Sequence, residues 1–257
     1  MKITVLTENT TELNFSVEHG LSLYIETGNR KILFDSGQSA LFAENAAKLG
    51  IDLGKVDFAV LSHGHYDHGG GLKRFLEINA HAPVYMNRCA FEPHFNAEGK
   101  YIGLDKSLED DSRIVLTGGV YKICEGAELY SCEGRKALFK TSAFGLKAER
   151  NGKIIEDDFC HEHYLMLEEN GKKVLFSGCS HKGILNIVNW FKPDVLVGGF
   201  HFFKLPVGSE LEHYTKLLAK TAVRYYTCHC TGEEQYRYMK TIMPQLRYIS
   251  TGQSIEL

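Results

Sequence analysis

The feature that most constrains the fold of this chain is a pattern that occurs twice in the same order. In residues 22–37, two segments of alternating apolar residues flank Thr-Gly-Asn at 27–29, and in residues 164–178 two similar segments flank Glu-Asn-Gly at 169–171. Gly-Asn and Asn-Gly pairs in this setting favour the tight turns of β-hairpins. The sequence therefore predicts one hairpin near the start of each half of the chain.

The repetition continues after each hairpin. In the first half, a helical pattern ends at a glycine, and an apolar strand at 57–62 then runs directly into His63. In the second half, a helical pattern stops before a proline, and an apolar strand at 194–200 runs directly into His201. Glycine and proline are common helix stops. Because hairpin, helix, strand and histidine recur in one order, we predict an α/β sandwich of two pseudo-duplicated halves.

A dense cluster of metal-binding residue types follows the first of these strands. His63, His65, Asp67 and His68 fall within six residues and are framed by glycines. Imidazole nitrogens and carboxylate oxygens are the ligands expected for zinc, iron or manganese. On a loop, side chains i and i+2 can point at one ion while i+4 and i+5 turn towards a second, and the glycines permit a tight path with positive φ. The motif predicts a site for two metal ions rather than a polar loop with surface histidines.

This motif after an apolar strand resembles the signature of the metallo-β-lactamase superfamily. Three further segments extend the resemblance over nearly the whole chain: Leu-Phe-Asp-Ser-Gly at 33–37, Ser-Gly-Cys-Ser-His at 177–181 and Thr-Cys-His-Cys-Thr-Gly at 227–232. The last two, with Gly-Gly-Phe-His at 198–201, are similar to a subgroup related to a dihydropterin-ribofuranosyl-aminobenzene-phosphate synthase of pterin biosynthesis. The resemblance implies an αββα sandwich with a mono- or dinuclear metal site at the sheet edges.

The resemblance also implies a role for each residue of the motif. His63 and His65 bind the first metal in this scheme, and Asp67 and His68 bind the second. His229 matches the last family histidine and is implied to bind the second metal too. The cofactor we predict is a pair of divalent ions, with zinc as the first choice and iron or manganese as the alternatives.

The chain departs from the family pattern where a bridging aspartate normally stands, because Cys179 occupies that position. Cys179 is either a thiolate ligand or a small buried residue that leaves ligation to His181. The family's other histidine for the first metal precedes the second hairpin, where His161 and His163 stand. We favour His181, since Gly-Cys-Ser-His is the signature of the subgroup, and keep Cys179 and His161 or His163 as alternatives.

Three more residues are predicted near the site. The resemblance makes Asp35 a carboxylate that orients a ligating histidine, the alternative being a strand-end turn residue. His201 mirrors His63 in the duplication, so we expect it at the cleft edge, where it binds substrate or phosphate or donates a proton; the alternative is a structural histidine. His19 precedes the first hairpin and either contacts substrate or lies on the surface.

Other histidines and cysteines carry weaker signals. Cys228 and Cys230 alternate with His229 on a predicted strand, so we expect both to face away from the site and to pack in the core. His81 and His94 have no informative spacing and are predicted to be exposed. The chain has seven cysteines without a framework spacing, which favours free thiols over disulfides.

The segment between the two halves, residues 87–163, is rich in glycine and charge and contains strand-like pieces at 112–116 and 119–123. A structureless loop of this length is improbable. We therefore predict an excursion that covers the site face. No Pro/Gly/Ser-rich linker divides the chain, so we expect a single domain over residues 1–257.

Composition narrows the function classes. The chain has 29 basic and 32 acidic residues and a net charge of -3, which does not indicate nucleic-acid binding. No apolar run approaches the roughly 20 residues that span a bilayer, and the N-terminal segment is not a signal peptide. We therefore expect a cytoplasmic protein with a small-molecule substrate, and leave its oligomeric state open.

The function hypothesis is metal-assisted hydrolysis or group transfer. Two divalent ions lower the pKa of a water from about 16 towards about 7, Asp67 positions the resulting hydroxide, and His201 stabilises the leaving group. By resemblance, the leading substrate is a phosphate-bearing, pterin-like small molecule. One alternative is a di-iron protein that reduces oxygen or nitric oxide with a flavin partner, although no fused flavodoxin module is evident. The other is a non-catalytic metal- or ligand-binding protein.

Overall fold

The computed structural model describes residues 1–28 and 30–257, so Asn29 of the first predicted turn lies outside the described residues. The strands in chain order are β1 (Lys2–Thr7), β2 (Ser22–Thr27), β3 (Arg30–Phe34), β4 (Phe58–Val60), β5 (Val84–Asn87), β6 (His94–Phe95), β7 (Ile114–Thr117), β8 (Val120–Cys124), β9 (Ala127–Tyr130), β10 (Lys147–Arg150), β11 (Lys153–Glu156), β12 (Tyr164–Glu169), β13 (Lys172–Ser177), β14 (Val195–Gly198), β15 (Arg224–Thr227), β16 (Leu246–Tyr248) and β17 (Ser254–Glu256). The α-helices are α1 (Leu41–Lys48), α2 (Tyr66–Gly69), α3 (Leu72–Ile78), α4 (Ile184–Phe191), α5 (Ser209–Ala219) and α6 (Glu233–Lys240). Short 3-10 turns lie at Leu53–Lys55, Lys106–Leu108 and His229–Thr231.

Two seven-stranded mixed sheets form the centre of the fold. Their strand orders are β17-β1-β2-β3-β4-β5-β7 and β8-β9-β12-β13-β14-β15-β16. In both sheets, read in these directions, the first four strands pair antiparallel and the last four pair parallel. The hairpins β2-β3 and β12-β13, the helices α1 and α4, and the strands β4 and β14 are therefore equivalent. The predicted pseudo-duplication is confirmed.

Alternating side chains build three hydrophobic layers around these sheets. Ile32 and Phe34 of β3 point into the core between the sheets, whereas Leu33 between them points to the outer face, towards α1 and α3. In the second sheet, Phe176 enters the same inner core, and its ring lies 5.8 Å from that of Phe34. Leu175 faces outwards, into the layer that contains α4, α5 and α6. Strands with both faces buried and helices outside both sheets confirm the predicted αββα sandwich.

The segment between the halves contributes strands to both large sheets and forms a small sheet of its own. Within residues 87–163, β7 extends one edge of the first sheet, and β8 and β9 extend an edge of the second. A separate three-stranded sheet has the order β11-β10-β6. Pairing of these strands satisfies backbone groups that a bare sheet edge leaves open. Residues 139–144 do reach the wall of a cavity beside the predicted site.

The chain positions most of its predicted site residues where parallel strands end. Asp35 follows β3, His63 follows β4, Cys179 follows β13, His201 follows β14 and His229 follows β15. In α/β sheets of this kind, ligands bind outside the carboxyl ends of the strands. The fold therefore gathers residues that are far apart in sequence at one edge of the two sheets. Among the described residues, no helix is long and apolar enough to cross a membrane.

Candidate metal centre

The loop after β4 is shaped by close backbone contacts. A Cβ at Gly64 would lie 2.2 Å from the carbonyl oxygen of Ala90, and one at Gly71 would lie 2.2 Å from that of Ser36, so no larger residue fits at either position. We predicted positive φ at these glycines, and that prediction is wrong: neither has it. Asp67 and His68 belong to the short helix α2 rather than to a loop. The glycines are needed for close approach, because helix and loop pack tightly against neighbouring backbone.

Positive φ occurs instead at four non-glycine residues around the site. Asp35 has a φ of 59°, Ser180 of 59°, His201 of 55° and His229 of 48°. Left-handed backbone at such residues costs free energy and concentrates at functional sites. Three of the four lie at predicted site residues, each just past the end of a parallel strand.

One group of ligand atoms converges around His68 and His229. The Nε2 atoms of these histidines lie 3.2 Å apart, and the Sγ atom of Cys179 lies 3.3 Å from Nε2 of His68. The Oδ2 atom of Asp67 is 3.6 Å from Nε2 of His68 and 3.4 Å from Nε2 of His229. Two imidazoles, a carboxylate and a thiol therefore face one small volume. This is a suitable donor set for a divalent transition metal.

A second group converges around His63 and His181. Their Nε2 atoms lie 3.3 Å apart. Ligand atoms of His63, Cys179 and His181 all lie within 4.8 Å of one another, as do those of His68, Cys179 and His229. Cys179 therefore belongs to both groups, in the place where the family pattern has a bridging aspartate. The two candidates that we weighed against each other, Cys179 and His181, are brought together in one group.

Asp35 sets the proton positions of two of the three motif histidines, His63 and His68, one in each group. Its carboxylate accepts hydrogen bonds from the Ser62 amide at 2.7 Å, the Ser62 hydroxyl at 2.8 Å and Nδ1 of His68 at 2.7 Å. Because the single hydroxyl hydrogen of Ser62 is directed at Asp35, Ser62 Oγ accepts from Nδ1 of His63, 2.8 Å away. With protons on both Nδ1 atoms, the neutral forms of His63 and His68 present Nε2 lone pairs to the site.

Asn9 fixes the proton position of His229 in the same way. Its Oδ1 atom accepts from the Gly20 amide at 3.3 Å, which identifies it as the oxygen, and it accepts from Nδ1 of His229 at 2.7 Å. Neutral His229 therefore also presents a lone pair, directly opposite that of His68. Two lone pairs 3.2 Å apart repel unless a cation or a proton lies between them. The residues present therefore fit a metal ion at this position.

The charges around the site favour a cation there. Burial opposes protonation of His68, but the carboxylates of Asp67 and Asp35 raise its pKa to about 9. Burial and the neighbouring histidines lower the pKa of His63 well below its usual value. Burial raises the pKa of Asp67, but the facing His68, His19 and His229 hold it well below its usual range. Positive charge therefore concentrates at the His68 side of the centre, as expected where a metal replaces a proton.

His65 lies next to the first group but also contacts a third cluster. Its ring centroid is 4.7 Å from that of His63 and 5.1 Å from that of His181. Its Nε2 atom points the other way, to within 3.9 Å of Oδ2 of Asp157. Ligand atoms of His65, His94, Asp157 and His161 lie within 4.8 Å of one another.

His161, one of the two alternative histidines before the second hairpin, has no free lone pair to offer to the centre. Nδ1 of His161 accepts from the Gly64 amide at 2.8 Å, so its proton is on Nε2, which donates to Asp157 at 3.2 Å. Nε2 of His163 donates to the Leu61 carbonyl oxygen at 2.6 Å. His161 is thus fully engaged in hydrogen bonds, and His163 is anchored to the backbone behind the loop.

Two predictions about weaker signals are wrong. His94 is fully buried rather than exposed, because it packs with His161 against Asp157; His81 is exposed as predicted. Cys230 does not face away from the site: its Sγ lies within 4.8 Å of ligand atoms of Cys179 and His201. The reason is that β15 ends at Thr227 and a 3-10 turn follows, which breaks strand alternation. Cys228 does pack in the inner core.

His19 and His201 flank the centre on opposite sides. Nε2 of His19 is 3.3 Å from Oδ2 of Asp67, and the His19 side chain is 49% exposed. The ring of His201 lies 4.3 Å from that of His181. Both ring nitrogens of His201 are buried and find no hydrogen-bond partner in the described part of the chain. His201 therefore has donor and acceptor capacity that a ligand can satisfy.

A cavity of about 300 Å³ opens beside His181 and His201. Its walls are mostly apolar and include five aromatic residues, Phe139, Phe144, Phe200, Phe202 and Tyr214. Lys140 and Glu210 supply charged groups at its lining. A mostly apolar cavity with a few polar groups at one end is typical of small-molecule sites.

Sequence reasoning missed four residues that support the centre: Asn9, Ser62, His94 and Asp157. None has a motif of its own. Asn9 and Asp157 act on histidines far along the chain, and His94 acts on Asp157. Ser62 carried the only usable signal, since it stands between the buried strand and His63 and can hydrogen-bond to Asp35. Glu8 also contributes, because its Oε2 accepts from the backbone amide of His229 at 3.0 Å.

Comparison with known proteins agrees with this geometry. The profile of the metallo-β-lactamase superfamily matches residues 16–225. An uncharacterized protein of Methanocaldococcus jannaschii is 31% identical over 239 residues, which are 90% of each chain. The 7,8-dihydropterin-6-methyl-4-(β-D-ribofuranosyl)-aminobenzene-5'-phosphate synthase of the same organism is 29% identical over 287 residues, covering 100% of this chain and 96% of the relative. The solved structure of Tm1679, a metal-dependent hydrolase of the β-lactamase superfamily, superposes with a TM-score of 0.85 at 30% identity and covers 100% of this chain and 99% of its own.

Proposed function

The chain belongs to the metallo-β-lactamase superfamily, and from this premise we propose that it is a metal-dependent enzyme that hydrolyses or transfers a group on a phosphate-bearing small molecule. The observation that carries the proposal is the pair of donor groups that share Cys179. Their histidines present lone pairs to one another, and an aromatic cavity opens next to them. A merely structural metal site would be closed on all sides and would need no such cavity.

The proposed cofactor is two divalent ions, with zinc preferred. His63, His181 and Cys179 would hold one, with His65 beside them; His68, His229 and Asp67 would hold the other and share Cys179. When bound, such ions supply Lewis acidity and lower the pKa of a nearby water. Imidazole and thiolate together favour zinc over harder cations such as magnesium.

The chain's own residues have distinct tasks in this proposal. The Asp67 side chain is 11% exposed, and its carboxylate accepts a hydrogen bond from the attacking water and fixes its direction. His201, with two unpartnered nitrogens at the cavity end, donates a proton to the leaving oxygen. His19 contacts Asp67 from the solvent side and guides an anionic group towards the centre.

The cavity supports a substrate with a flat ring. Aromatic walls pack well against a planar heterocycle, and Lys140 offers a cation to an anionic group. One full-length relative is named for synthesis of a phosphate that carries a dihydropterin. We therefore propose a pterin-like compound with a phosphate as the leading substrate class. The net charge of -3 fits a small molecule better than a nucleic acid.

The test combines metal analysis with a substrate screen. Metal content of the purified chain is measured, and the metal-free protein is assayed with added zinc, manganese or iron against phosphodiesters, phosphomonoesters, thioesters and lactones. We expect turnover of a phosphate ester that chelator abolishes and zinc restores. Full activity in a rigorously metal-free sample would contradict the proposal. Two irons per chain with visible absorbance and oxygen or nitric oxide reduction would favour the di-iron alternative instead.

A further inference from the structure

We propose that Asp157 is a positioning residue for His65, and that it directs the other ring nitrogen of His65, Nδ1, towards the metal centre. This inference rests on the proposed metal-dependent function. It concerns a cluster of three histidines around one carboxylate, made by His65, His94, Asp157 and His161. All four side chains are buried.

Hydrogen bonds fix the Asp157 carboxylate within this cluster. Its Oδ1 atom accepts from the Phe159 amide at 2.7 Å. Its Oδ2 atom accepts from Nε2 of His161 and from Nδ1 of His94, each at 3.2 Å. His161 is held in turn by the amide of Gly64, inside the motif loop. The carboxylate is therefore anchored to the same loop that carries His65.

His65 completes this arrangement. Its buried Nε2 atom finds no hydrogen-bond partner among the residues described, and it points at Oδ2 of Asp157 from 3.9 Å. Because the carboxylate is fixed, a small rotation of the His65 ring would be needed to shorten this distance to that of a hydrogen bond. A proton on Nε2 then leaves the lone pair on Nδ1, the remaining nitrogen available to a metal. Ligating histidines commonly donate their second N–H to a carboxylate in this way.

The cluster is less suited to hold a metal ion itself. Both nitrogens of His161 are engaged, one as acceptor and one as donor. Nδ1 of His94 donates to Asp157, so only Nε2 of His94 and Nε2 of His65 remain without partners in the described structure. Two nitrogens and a carboxylate already shared by hydrogen bonds make a poor set for a tetrahedral ion.

Asp157→Asn tests the proposal, with Asp158→Asn as the matched control. Asp158 is the adjacent residue, but its carboxylate is 56% exposed and pairs with Arg150 instead of a histidine. Metal-free proteins are first compared by thermal unfolding. Zinc affinity is then measured against a competing chelator, and the visible spectrum is recorded after cobalt(II) substitution. We expect Asp157→Asn to weaken one of the two metal equivalents by about 10–100-fold and to change the cobalt spectrum. Asp158→Asn should match the wild type.

Two further variants keep the test decisive if Asp157→Asn fails to fold. His94→Gln keeps an N–H donor towards Asp157 and should retain wild-type zinc binding, whereas His94→Ala frees the carboxylate and should weaken it. Wild-type affinity and spectrum in both Asp157→Asn and His94→Ala would overturn this inference alone. Three zinc equivalents in the wild type, with the third lost in Asp157→Asn, would overturn it in favour of a metal within the cluster. A wild-type chain that retains no metal would overturn the proposed function as well.

Discussion

The two halves of the sandwich have the same strand order and pairing, yet their equivalent loops differ sharply. After β4, the chain makes a tight turn and a short helix that place four potential ligands at the sheet edge. After β14, the equivalent position carries the single histidine His201, and the chain then forms the wall of the aromatic cavity with Phe202 and Leu205. The first half therefore supplies most of the proposed metal ligands, and the second half supplies most of the cavity wall.

The difference shows that the shared topology determines where a site lies, whereas the loops determine the chemistry of that site. Both histidines follow the end of a parallel strand, as the duplication requires. His63 has its proton position set by Ser62 and Asp35. His201 has no partner for either nitrogen within the described chain. These differences fit the roles proposed for the two residues, because a metal ligand is held rigidly and a proton donor remains free to contact substrate.

The largest effect should come from removal of a ligand in the first half. We expect His68→Ala to lose a metal ion and to lower kcat/KM by about 1,000-fold, because several kcal/mol of transition-state stabilisation depend on the ion. Metal content by mass spectrometry and turnover of the best substrate from the screen check this. His81→Ala, at an exposed histidine outside the centre, is the control. A His68→Ala protein with full metal content and full turnover would contradict the assignment.

A variant in the second half should separate catalysis from metal binding. His201→Asn should keep both metal equivalents and lower kcat by about 100-fold, the usual contribution of a general acid. If His201→Asn also loses metal, His201 is a ligand, and the two halves are more alike than we propose.

Replacement of Cys179, the proposed shared ligand, should have a smaller effect on activity than either change above. Cys179→Asp restores a carboxylate at the family's bridging position and should retain two metals with activity within about tenfold of wild type. Cys179→Ala leaves both groups one donor short and should weaken zinc binding by about 100-fold, a loss of about 2.7 kcal/mol in affinity. Zinc titration of the two variants side by side provides the measurement. Equal binding by Cys179→Ala and wild type would assign ligation to the histidines alone.

The smallest expected effect is on the pH dependence of the unfolding free energy, and it involves a contact between the two halves. His163, at the start of the second half, donates its backbone amide to Ser62 and its ring Nε2 to Leu61. Burial lowers its pKa to about 4, against about 6.5 in an unfolded chain. Between these values the unfolded chain binds one more proton, so stability falls as pH falls from about 6.5 to about 4, by up to about 1.4 kcal/mol per pH unit.

Urea unfolding of the metal-free protein at several pH values measures this dependence. His163→Gln retains an N–H donor but does not titrate. In that pH window, the slope of unfolding free energy against pH should therefore decrease by up to about 1.4 kcal/mol per pH unit, which corresponds to one proton. His213→Gln serves as the control for loss of a histidine elsewhere. An unchanged slope in His163→Gln would show that His163 does not take up a proton on unfolding.

Much of the fold was accessible from the sequence because its signals are local. The alternation around Leu33 and Leu175 and the turn residues that precede them define the hairpins. The repeated order of elements predicts two similar sheets. The motif from His63 to His68 was recognisable for the same reason, since its ligands lie within one turn and one helix. Asp35 and His229 needed the family resemblance, because their contacts with the motif cross the chain.

The rest of the site depends on tertiary contacts that no local pattern encodes. Asp157 meets His65 only because residues 146–163 fold back over the loop after β4. His94 is polar and isolated in sequence, so its complete burial follows only from that carboxylate. Cys230 turns inwards because His229 adopts positive φ, which strand alternation cannot anticipate.

The hydrogen bond between Asn9 and His229 has a consequence for how the protein is made. These residues are 220 positions apart, and the backbone amide of His229 is likewise held by Glu8. A growing chain on the ribosome therefore carries the histidine-rich loop long before the residues that complete the centre have been synthesised. The proposed metal centre is therefore complete only after nearly the whole polypeptide has been synthesised.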